Sequence, residues 1–211
     1  MTLVFADDAL VVVNKPPGLL SVPGRGVDKQ DCLSTRVQQH FANACVVHRL
    51  DMATSGLLVM ARGAQAQRYL NDAFAARVVR KRYEAVVKGL VTPTDNGDWH
   101  NIDLPLQVDW PNRPKRVVDP VHGKPSQTDW RLLSTNPAAN TSRLELAPIT
   151  GRSHQLRVHL QAIGHPILGD ALYAPPDVVS QSDRLLLHAT VLELPHPTTQ
   201  QLMRFESVAS F

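Results

Sequence analysis

Short apolar runs, separated by Pro, Gly and charged residues, are the main pattern along the chain. The runs at residues 10–14, 56–61 and 83–88 have the length of strands, and the second of them predicts a buried strand. Four further runs predict strands at residues 128–133, 143–146, 185–194 and 203–205. The pattern therefore predicts many short strands.

Helical spacing of apolar residues predicts a smaller number of helices. Residues 64–77 place their apolar side chains on one face, which is typical of an amphipathic helix. Residues 153–163 show the same spacing, and Gly164 suits the C-terminal cap of that helix. A shorter helix is predicted for residues 33–41.

The order of these elements indicates the fold class. Strands outnumber helices and do not alternate with them regularly, which favours an α+β fold over a doubly wound one. We expect a mixed, largely antiparallel central sheet with flanking helices and loops. Residues 19–31 predict a loop, and residues 92–126 predict a long irregular excursion of the kind that is often functional.

Composition limits the possible classes of protein. The 211 residues suit one domain, and 43% hydrophobic with 19% charged residues is an ordinary globular balance. The net charge of +3 is compatible with a nucleic-acid partner without requiring one. Cys32 and Cys45 form no CxxC pair, and the chain shows neither a signal-peptide pattern nor a membrane-spanning run. We expect a cytoplasmic protein.

The densest polar cluster lies between two apolar runs. It contains His48, Arg49, Asp51, Thr54 and Ser55. A loop fixed at both ends by buried strands can hold reactive side chains rigidly, so Asp51 is a candidate catalytic carboxylate. On this pattern alone, an Asp that forms a turn with support from Thr54 is the more ordinary interpretation.

A second cluster occupies residues 150–159. Gly151 permits a sharp turn before the predicted helix, and Arg152 follows it. Helix N-termini favour anions, so an Arg at this point needs a carboxylate or phosphate partner, unless it is simply solvated. The functional interpretation is an Arg that keeps a catalytic Asp ionised.

Two basic segments complete the candidate chemistry. Four cations precede an aromatic residue in the first segment, which contains Arg77, Arg80, Lys81, Arg82 and Tyr83. The second segment lies in the long excursion and contains Arg113, Lys115 and Arg116. Such cations are usually a solvated surface, but cations beside an aromatic side chain also suit RNA.

Several other classes of protein are not supported. The chain has no GxxxxGK[ST] phosphate loop, no GxGxxG fingerprint and no GxSxG nucleophile elbow. His154 and His159 are five residues apart and lack the glutamate of HExxH, so we expect no zinc site. His165, His188 and His196 are expected to be structural.

Taken together, the clusters resemble the RluA family of pseudouridine synthases. Residues 48–56 match its HRLDxxTSG motif, residues 81–83 match K-x-Y, and residues 151–159 match GRxHQLRxH. Residues 14–24 also match an NKPxGLLSVPG pattern. The resemblance implies the pseudouridine synthase fold and the isomerisation of uridine to pseudouridine in RNA. It makes Asp51 the expected catalytic carboxylate.

The resemblance also implies roles for other residues and requires no cofactor or metal. Arg152 would pair with Asp51 and lower its pKa, Tyr83 would stack on the flipped uracil, Arg49 would fill the space that the base leaves, and Leu156 would line the pocket. Further contacts with the substrate are expected from His48, Arg77, Lys81, Arg113 and Lys115.

The likeness is strongest to short bacterial members that modify both transfer RNA and 23S ribosomal RNA. Position 32 of the anticodon loop and a 23S loop are therefore the expected targets. We expect residues 1–211 to form a single catalytic domain without an N-terminal S4-like domain, acting as a monomer without an obligatory protein partner. The alternatives are a non-catalytic RNA-binding module and a hydrolase that uses Asp51.

Overall fold

A computed structural model describes residues 1–93 and 98–211. The chain divides into two compact units. The first unit contains residues 1–81 and 188–210, and the second contains residues 82–187 with residue 211. The single catalytic domain expected from the sequence stays a prediction.

The described residues form mainly short strands. The strands are β1 (Thr2–Ala6), β2 (Leu10–Lys15), β3 (Ala44–Val46), β4 (Ser55–Arg62), β5 (Arg80–Lys88), β6 (His100–Asp103), β7 (Leu106–Val108), β8 (Arg116–Val118), β9 (Gln127–Asn136), β10 (Thr141–Pro148), β11 (Leu187–Pro195) and β12 (Leu202–Glu206). The helices are α1 (Leu33–Gln38), α2 (Ala64–Ala75), α3 (Gln155–Ala162) and α4 (Pro176–Val179), with a 3₁₀ turn at Val27–Lys29. The predicted α+β class with a largely antiparallel sheet is confirmed.

The strands of the first unit follow the order β1-β2-β4-β11, with β3 beside β4 and β12 beside β11. β2 and β4 are antiparallel, whereas β4 and β11 are parallel. Every residue of β4 except Arg62 is buried, as its continuous apolar run predicts for a strand covered on both faces. The buried core against this sheet includes Leu10, Val12, Leu57, Val59, Leu70 and Leu192.

Helix α2 covers part of that core with the face that the sequence predicts. Ala66, Leu70 and Ala73 are buried, and Tyr69 and Phe74 pack against them while partly exposed. The helix ends two residues before the predicted end at residue 77. The amphipathic pattern is therefore confirmed, since the buried residues recur at the three- and four-residue spacing of a helix.

The strands of the second unit follow the antiparallel order β5-β10-β9-β6, and β7 pairs with β8 separately. The predicted pair at residues 128–133 and 143–146 is confirmed as β9 and β10. In β5, Tyr83, Ala85 and Val87 are buried while their neighbours are half-exposed. This alternation is expected for a strand with one covered face.

The long excursion contains more regular structure than predicted. β6, β7 and β8 all lie within residues 92–126, although residues 94–97 fall outside the described part of the chain. In β6, His100 and Ile102 are buried and alternate with exposed residues. Strands of three or four residues among Pro, Gly and Asn are too short for the apolar pattern to reveal, so the prediction of a long irregular excursion was wrong for the residues of β6, β7 and β8.

Helix α3 begins at Gln155, two residues later than predicted. His154 precedes it with a left-handed φ of 59°, so the chain turns sharply before the helix starts. At the other end, Gly164 has a φ of 86° and its N–H donates to the Gln161 carbonyl. The predicted glycine C-cap is confirmed. No helix in the described residues is long and apolar enough to cross a membrane.

Candidate active site

The loop that carries Asp51 lies between β3 and β4 in the first unit. The two strands are antiparallel and their pairing ends at Val46 opposite Met60. In the following loop Leu50 is buried, Asp51 is half-buried and Arg49 is exposed. The buried leucine anchors the loop to the core and leaves its charged neighbours near the surface.

His48 supplies a side-chain hydrogen bond to β4 just beyond the point where β3 ends. Its Nε2 atom accepts a hydrogen bond of 3.1 Å from the Val59 backbone N–H. Its ring also stacks on Phe74, with 4.7 Å between ring centroids. Burial, and to a smaller extent the charge of Lys81, lowers the pKa of His48 from 6.5 to about 3. The imidazole is therefore neutral at physiological pH and acts as an acceptor for the sheet.

Lys15 supports the residue that follows Asp51. Its side chain is fully buried although it carries an ammonium group. The Nζ atom donates to the carbonyls of Pro16, Leu19 and Met52 at 3.0, 2.8 and 3.0 Å. The Met52 carbonyl also accepts a bond of 2.9 Å from the Gly18 N–H. Charge-assisted bonds of this kind are the stronger class of hydrogen bond, so they fix the chain beside the candidate carboxylate.

Ser21 supports the residue that precedes Asp51. Its hydroxyl donates to the Leu50 carbonyl at 2.7 Å and accepts from the Leu50 N–H at 3.1 Å. Both residues are buried, so the two bonds satisfy backbone groups that water does not reach. Sequence analysis matched Lys15 and Ser21 to a family pattern but gave them no role, and that match was the signal that could have identified them.

The end of the loop is fixed by close packing of β4 against β11. Gly56 has a φ of 112°, and a Cβ atom built on it would lie 2.4 Å from the backbone N of Ala189. Beside it, the Ser55 hydroxyl and Nδ1 of His188 share a hydrogen bond of 2.8 Å. His188 also shares a bond of 2.9 Å with the Ser207 hydroxyl, so this histidine links β4 to the residue that directly follows β12.

The predicted cations of the first unit differ in exposure. Arg77 follows α2 with a left-handed φ of 60° and is exposed. Lys81, in β5, is half-buried, and this burial lowers the pKa of its ammonium group. Arg49 and Arg80, the other predicted cations of this unit, are both exposed.

In the second unit, Arg152 lies in a turn that Gln155 holds in shape. The Gln155 side-chain oxygen accepts from the Arg152 N–H at 3.0 Å and from the Thr150 hydroxyl at 2.7 Å. Its Nε2 atom donates to the Gln127 carbonyl and to the Thr128 hydroxyl, both at 2.9 Å. These four bonds use the full capacity of the amide. The Arg152 side chain itself is exposed, and its Nε atom donates a hydrogen bond of 3.4 Å to the Pro125 carbonyl.

Gln155 was not identified from the sequence as a functional residue, because its amide carries no charge that requires a partner. The residue is 3% exposed, and the GRxHQLRxH match was the only indication of its importance. Leu156, next to it in α3, is 7% exposed. Tyr83 of β5, at 9% exposure, is paired in register with Leu146 of β10.

The histidines of the same motif bond to distant segments of the second unit. His159 is fully buried, with Nδ1 3.0 Å from the Thr128 hydroxyl and Nε2 3.0 Å from the Leu104 carbonyl. Burial lowers its pKa. His154 shares a bond of 2.6 Å between Nδ1 and the Tyr173 hydroxyl. Among the described residues, no group of three or more His, Cys, Asp or Glu side chains could hold a metal ion.

Tyr173 joins the Arg152 motif to the basic excursion. Its hydroxyl accepts a bond of 2.9 Å from the Arg116 backbone N–H and contacts His154. The tyrosine follows a buried ion pair in which Arg157 donates two bonds to Asp170, of 2.8 and 2.6 Å. Asp170 also accepts from the Tyr173 N–H at 3.2 Å. The turn at residues 170–173 is therefore fixed by charge inside the core.

The predicted residues fall into two groups according to the compact unit that contains them. The first unit contains His48, Arg49, Asp51, Arg77 and Lys81. The second contains Tyr83, Arg113, Lys115, Arg152 and Leu156. The pairing of Arg152 with Asp51 stays a prediction, as do the catalytic and substrate-binding roles of all ten residues.

Solved structures with a similar fold define the class of protein. The human RNA pseudouridylate synthase domain containing 1 superposes with a TM-score of 0.79 at 27% identity, covering 98% of this chain and 82% of that chain. The human RNA pseudouridylate synthase domain containing 4 superposes with a TM-score of 0.77 at 25% identity, covering 99% of this chain and 88% of that chain. Both proteins are named for an RNA pseudouridylate synthase domain.

Sequence comparison agrees with the structural likeness. A profile of the RNA pseudouridylate synthase family matches residues 9–162. The dual-specificity RNA pseudouridine synthase RluA of Escherichia coli K12 is 48% identical over 211 residues, covering all of this chain and 94% of the relative. The RluA of Yersinia pestis is also 48% identical and is covered completely. This chain belongs to the RNA pseudouridylate synthase family, and the predicted enzyme class, an isomerase, is confirmed.

Proposed function

We propose that the chain converts uridine to pseudouridine in structured RNA, with Asp51 as the catalytic carboxylate. The observation that carries this proposal is the Asp51 loop, which matches the family motif and is held on both sides of the carboxylate. Ser21 bonds to Leu50 on one side, and Lys15 bonds to Met52 on the other. Catalysis requires reactive groups held in position, and these buried bonds supply that rigidity.

The reaction rearranges bonds within one nucleotide. The bond from the ribose to N1 of uracil breaks, a bond from the ribose to C5 forms, C5 loses a proton, and N1 gains one. Atoms and electrons balance, so the reaction consumes no oxidant or reductant. As a carboxylate, Asp51 can attack the ribose or base directly or remove a proton, and both routes are open to it.

The remaining roles follow from the chemistry of each side chain. Arg152 would keep Asp51 ionised through a charge-assisted pair, and Arg49 would fill the space that the flipped base leaves. Tyr83 would stack on the uracil, and Leu156 would exclude water from it. The base must leave its stack at a cost of a few kcal/mol, so an RNA loop is a less costly substrate than a helix.

The substrates are proposed from the relatives. The bacterial relatives are named dual-specificity synthases, which supports more than one RNA substrate here. We propose position 32 of transfer RNA anticodon loops and a loop of 23S ribosomal RNA. The enzyme would act in the cytoplasm as a monomer, with residues 1–211 as one catalytic domain that binds RNA through its own surfaces.

The decisive experiment replaces Asp51 with Asn, which keeps the size of the side chain and removes its charge. We expect Asp51→Asn to form no measurable pseudouridine in an anticodon stem-loop, while its affinity for that RNA changes by less than threefold, which corresponds to a change in binding free energy below about 0.7 kcal/mol. Pseudouridine mapping and filter binding measure the two quantities. Asp177→Asn, an exposed carboxylate in α4, is the matched control and should retain full activity.

Two outcomes would contradict the proposal. Full turnover by Asp51→Asn would remove the carboxylate from the mechanism. Release of free uracil by the wild-type chain would indicate a hydrolase instead. Mapping cellular RNA with and without the wild-type chain tests the proposed positions separately.

A further inference from the structure

Trp110 is exposed to an unusual degree for its size. It lies in the second unit between β7 and β8 and keeps 63% of its surface in solvent. Exposure of a large aromatic ring forgoes the free energy of burying it, and such rings are enriched where proteins bind partners. Nothing in the proposed chemistry at Asp51 uses this residue.

A guanidinium group covers one face of the Trp110 ring. The Cζ atom of Arg113 lies 3.5 Å from the ring centroid, well within the range of a cation–π contact. Because Trp110 is nevertheless mostly exposed, its other face is open to solvent. The stacked pair therefore offers a flat aromatic surface, with Arg113 on the face opposite the solvent.

The segment that carries this pair is ordered by its own hydrogen bonds. We call residues 109–116 the basic loop. The Asp109 carboxylate accepts bonds from Nδ2 of Asn112 at 3.0 and 3.1 Å, and the Asp109 N–H donates to the Lys115 carbonyl at 3.1 Å. The Lys115 N–H donates to the Asn112 carbonyl at 3.0 Å. A loop already fixed in this way loses little entropy when a ligand binds.

A groove beside the basic loop carries positive charge. Its volume is about 380 Å³. Its lining includes two cations of the loop, Lys115 and Arg116, and one carboxylate, Asp109, together with Tyr173. The one carboxylate of the loop, that of Asp109, is already bonded to Asn112. The groove is therefore suited to anionic groups such as backbone phosphates.

We propose that Trp110 and Arg113 form a stacking platform for an unpaired nucleobase of the RNA, with the adjoining phosphates at Lys115 and Arg116. Aromatic rings beside cations are the usual means of binding single-stranded nucleic acid. The platform rests on the proposed function, since it presumes an RNA substrate. It binds a second base, in addition to the uracil proposed to stack on Tyr83.

The test compares Trp110→Ala with Trp110→Phe in binding and turnover of an anticodon stem-loop. Loss of one stacked base corresponds to a decrease in affinity of roughly tenfold, so Trp110→Ala should raise Kd and KM by about that factor and leave kcat within twofold. Trp110→Phe keeps a ring and should retain most of the affinity. Leu202→Ala, which removes an apolar side chain of 69% exposure in the first unit, is the control and should bind as the wild type does.

Fluorescence gives a second measurement that does not depend on turnover. A stacked base quenches an indole, so RNA should quench the wild-type emission, and Trp110→Phe should abolish that change while Trp99 and Trp130 remain. The stem-loop is also prepared with 2-aminopurine at single loop positions. We expect the 2-aminopurine fluorescence at one position other than the target uridine to change when the wild type binds, and not to change when Trp110→Ala binds.

The outcomes separate the platform from the proposed function. If the wild type forms pseudouridine but both Trp110 variants bind RNA normally, the platform is wrong and the function stands. If the wild type binds RNA with Trp110-dependent quenching but forms no pseudouridine, the function is wrong and the platform stands. A response confined to the target position, or a change in oligomeric state without a change in RNA affinity, would also overturn the platform.

Discussion

His48 gives the sheet a hydrogen bond that its own backbone no longer provides. β3 leaves β4 after Val46, and the imidazole then accepts the Val59 N–H. The chain is thereby released from the sheet and can form the Asp51 loop without leaving a buried donor unpaired. Its observed partners are Val59 and Phe74, and the contact with substrate stays a prediction.

This arrangement predicts a dependence of stability on pH. Folding lowers the pKa of His48 to about 3, so between that value and 6.5 the unfolded chain binds a proton that the folded chain does not. Stability should be complete above the unfolded pKa and should decrease as the pH falls through this range. The contribution of one such proton approaches about 1.4 kcal/mol per pH unit.

His48→Gln isolates this contribution, because glutamine does not titrate and retains an oxygen that can accept from Val59. Urea unfolding of both proteins between about pH 4.5 and pH 7 measures the free energy of unfolding. We expect the variant to lose less stability on acidification than the wild type. Burial also lowers the pKa of His159, but this residue is present in both proteins, so its contribution cancels in the difference between the two pH profiles. Parallel curves for the two proteins would disprove the assignment.

At the residue scale, the sequence indicated the candidate catalytic residues better than the residues that hold them in place. Asp51 and Arg152 drew attention because charge in a loop or at a helix start needs an explanation. Lys15 and Gln155 did not, since their partners are backbone carbonyls and hydroxyl groups up to 37 residues away. Periodicity contains no information about such distant polar contacts.

The parallel pairing of β4 and β11 depends on a residue without a side chain. Gly56 faces the backbone of Ala189 so closely that a Cβ atom would overlap it. Its φ of 112° adds a conformation that other residues rarely adopt. The last position of the HRLDxxTSG motif is thus a requirement of strand packing.

Gly56→Ala should therefore lower the free energy of unfolding more than Gly63→Ala does. Gly63 is the matched control, because its φ is 83° but nothing lies within 4 Å of an added Cβ. Backbone strain of about 1–3 kcal/mol applies to both variants, and overpacking adds about 1–3 kcal/mol at Gly56 alone. Thermal unfolding of the two variants measures the difference. Equal losses would mean that the strands can separate without cost.

Elements were predictable where burial was continuous. The runs that became β2, β4 and β11 are apolar enough to identify strands directly. β1, with mostly exposed residues, was missed, and the run before His48 indicated a strand there without giving the bounds of the three-residue β3. The start of α3 was misplaced because the left-handed turn at His154 lies inside a helix-like sequence.

Charge placement matters more than net charge at the scale of the whole molecule. The net charge is only +3, which gives weak long-range attraction for RNA. Local cations such as those of the basic loop must then supply the phosphate contacts. Sequence identified these cations, but their arrangement beside a groove required the fold.

Salt dependence of RNA binding tests this view. Each phosphate contact to single-stranded RNA contributes about 0.7 to the slope of log K against log salt concentration. Lys115→Gln should reduce the slope by about that amount, whereas Lys29→Gln, which removes the same charge from an exposed site in the first unit, should not. Binding titrations at several salt concentrations give both slopes. Equal reductions would indicate that only total charge matters.

The family was predictable from sequence because three specific motifs occur together, whereas the division into two compact units was not. No Gly- or Ser-rich linker separates the units, and β5 contributes residues to both. Composition therefore contains no boundary that could be recognised.

The hydroxyl of Tyr173 binds residue 116 through the main chain, not through the arginine side chain. Every amino acid except proline offers the same donor. A substitution at position 116 that removes the guanidinium, and with it the proposed phosphate contact, would therefore still leave the basic loop attached to Tyr173. The anchoring of the loop and its charge at position 116 are thus separate properties of one residue, the first held by the main chain and the second by the side chain.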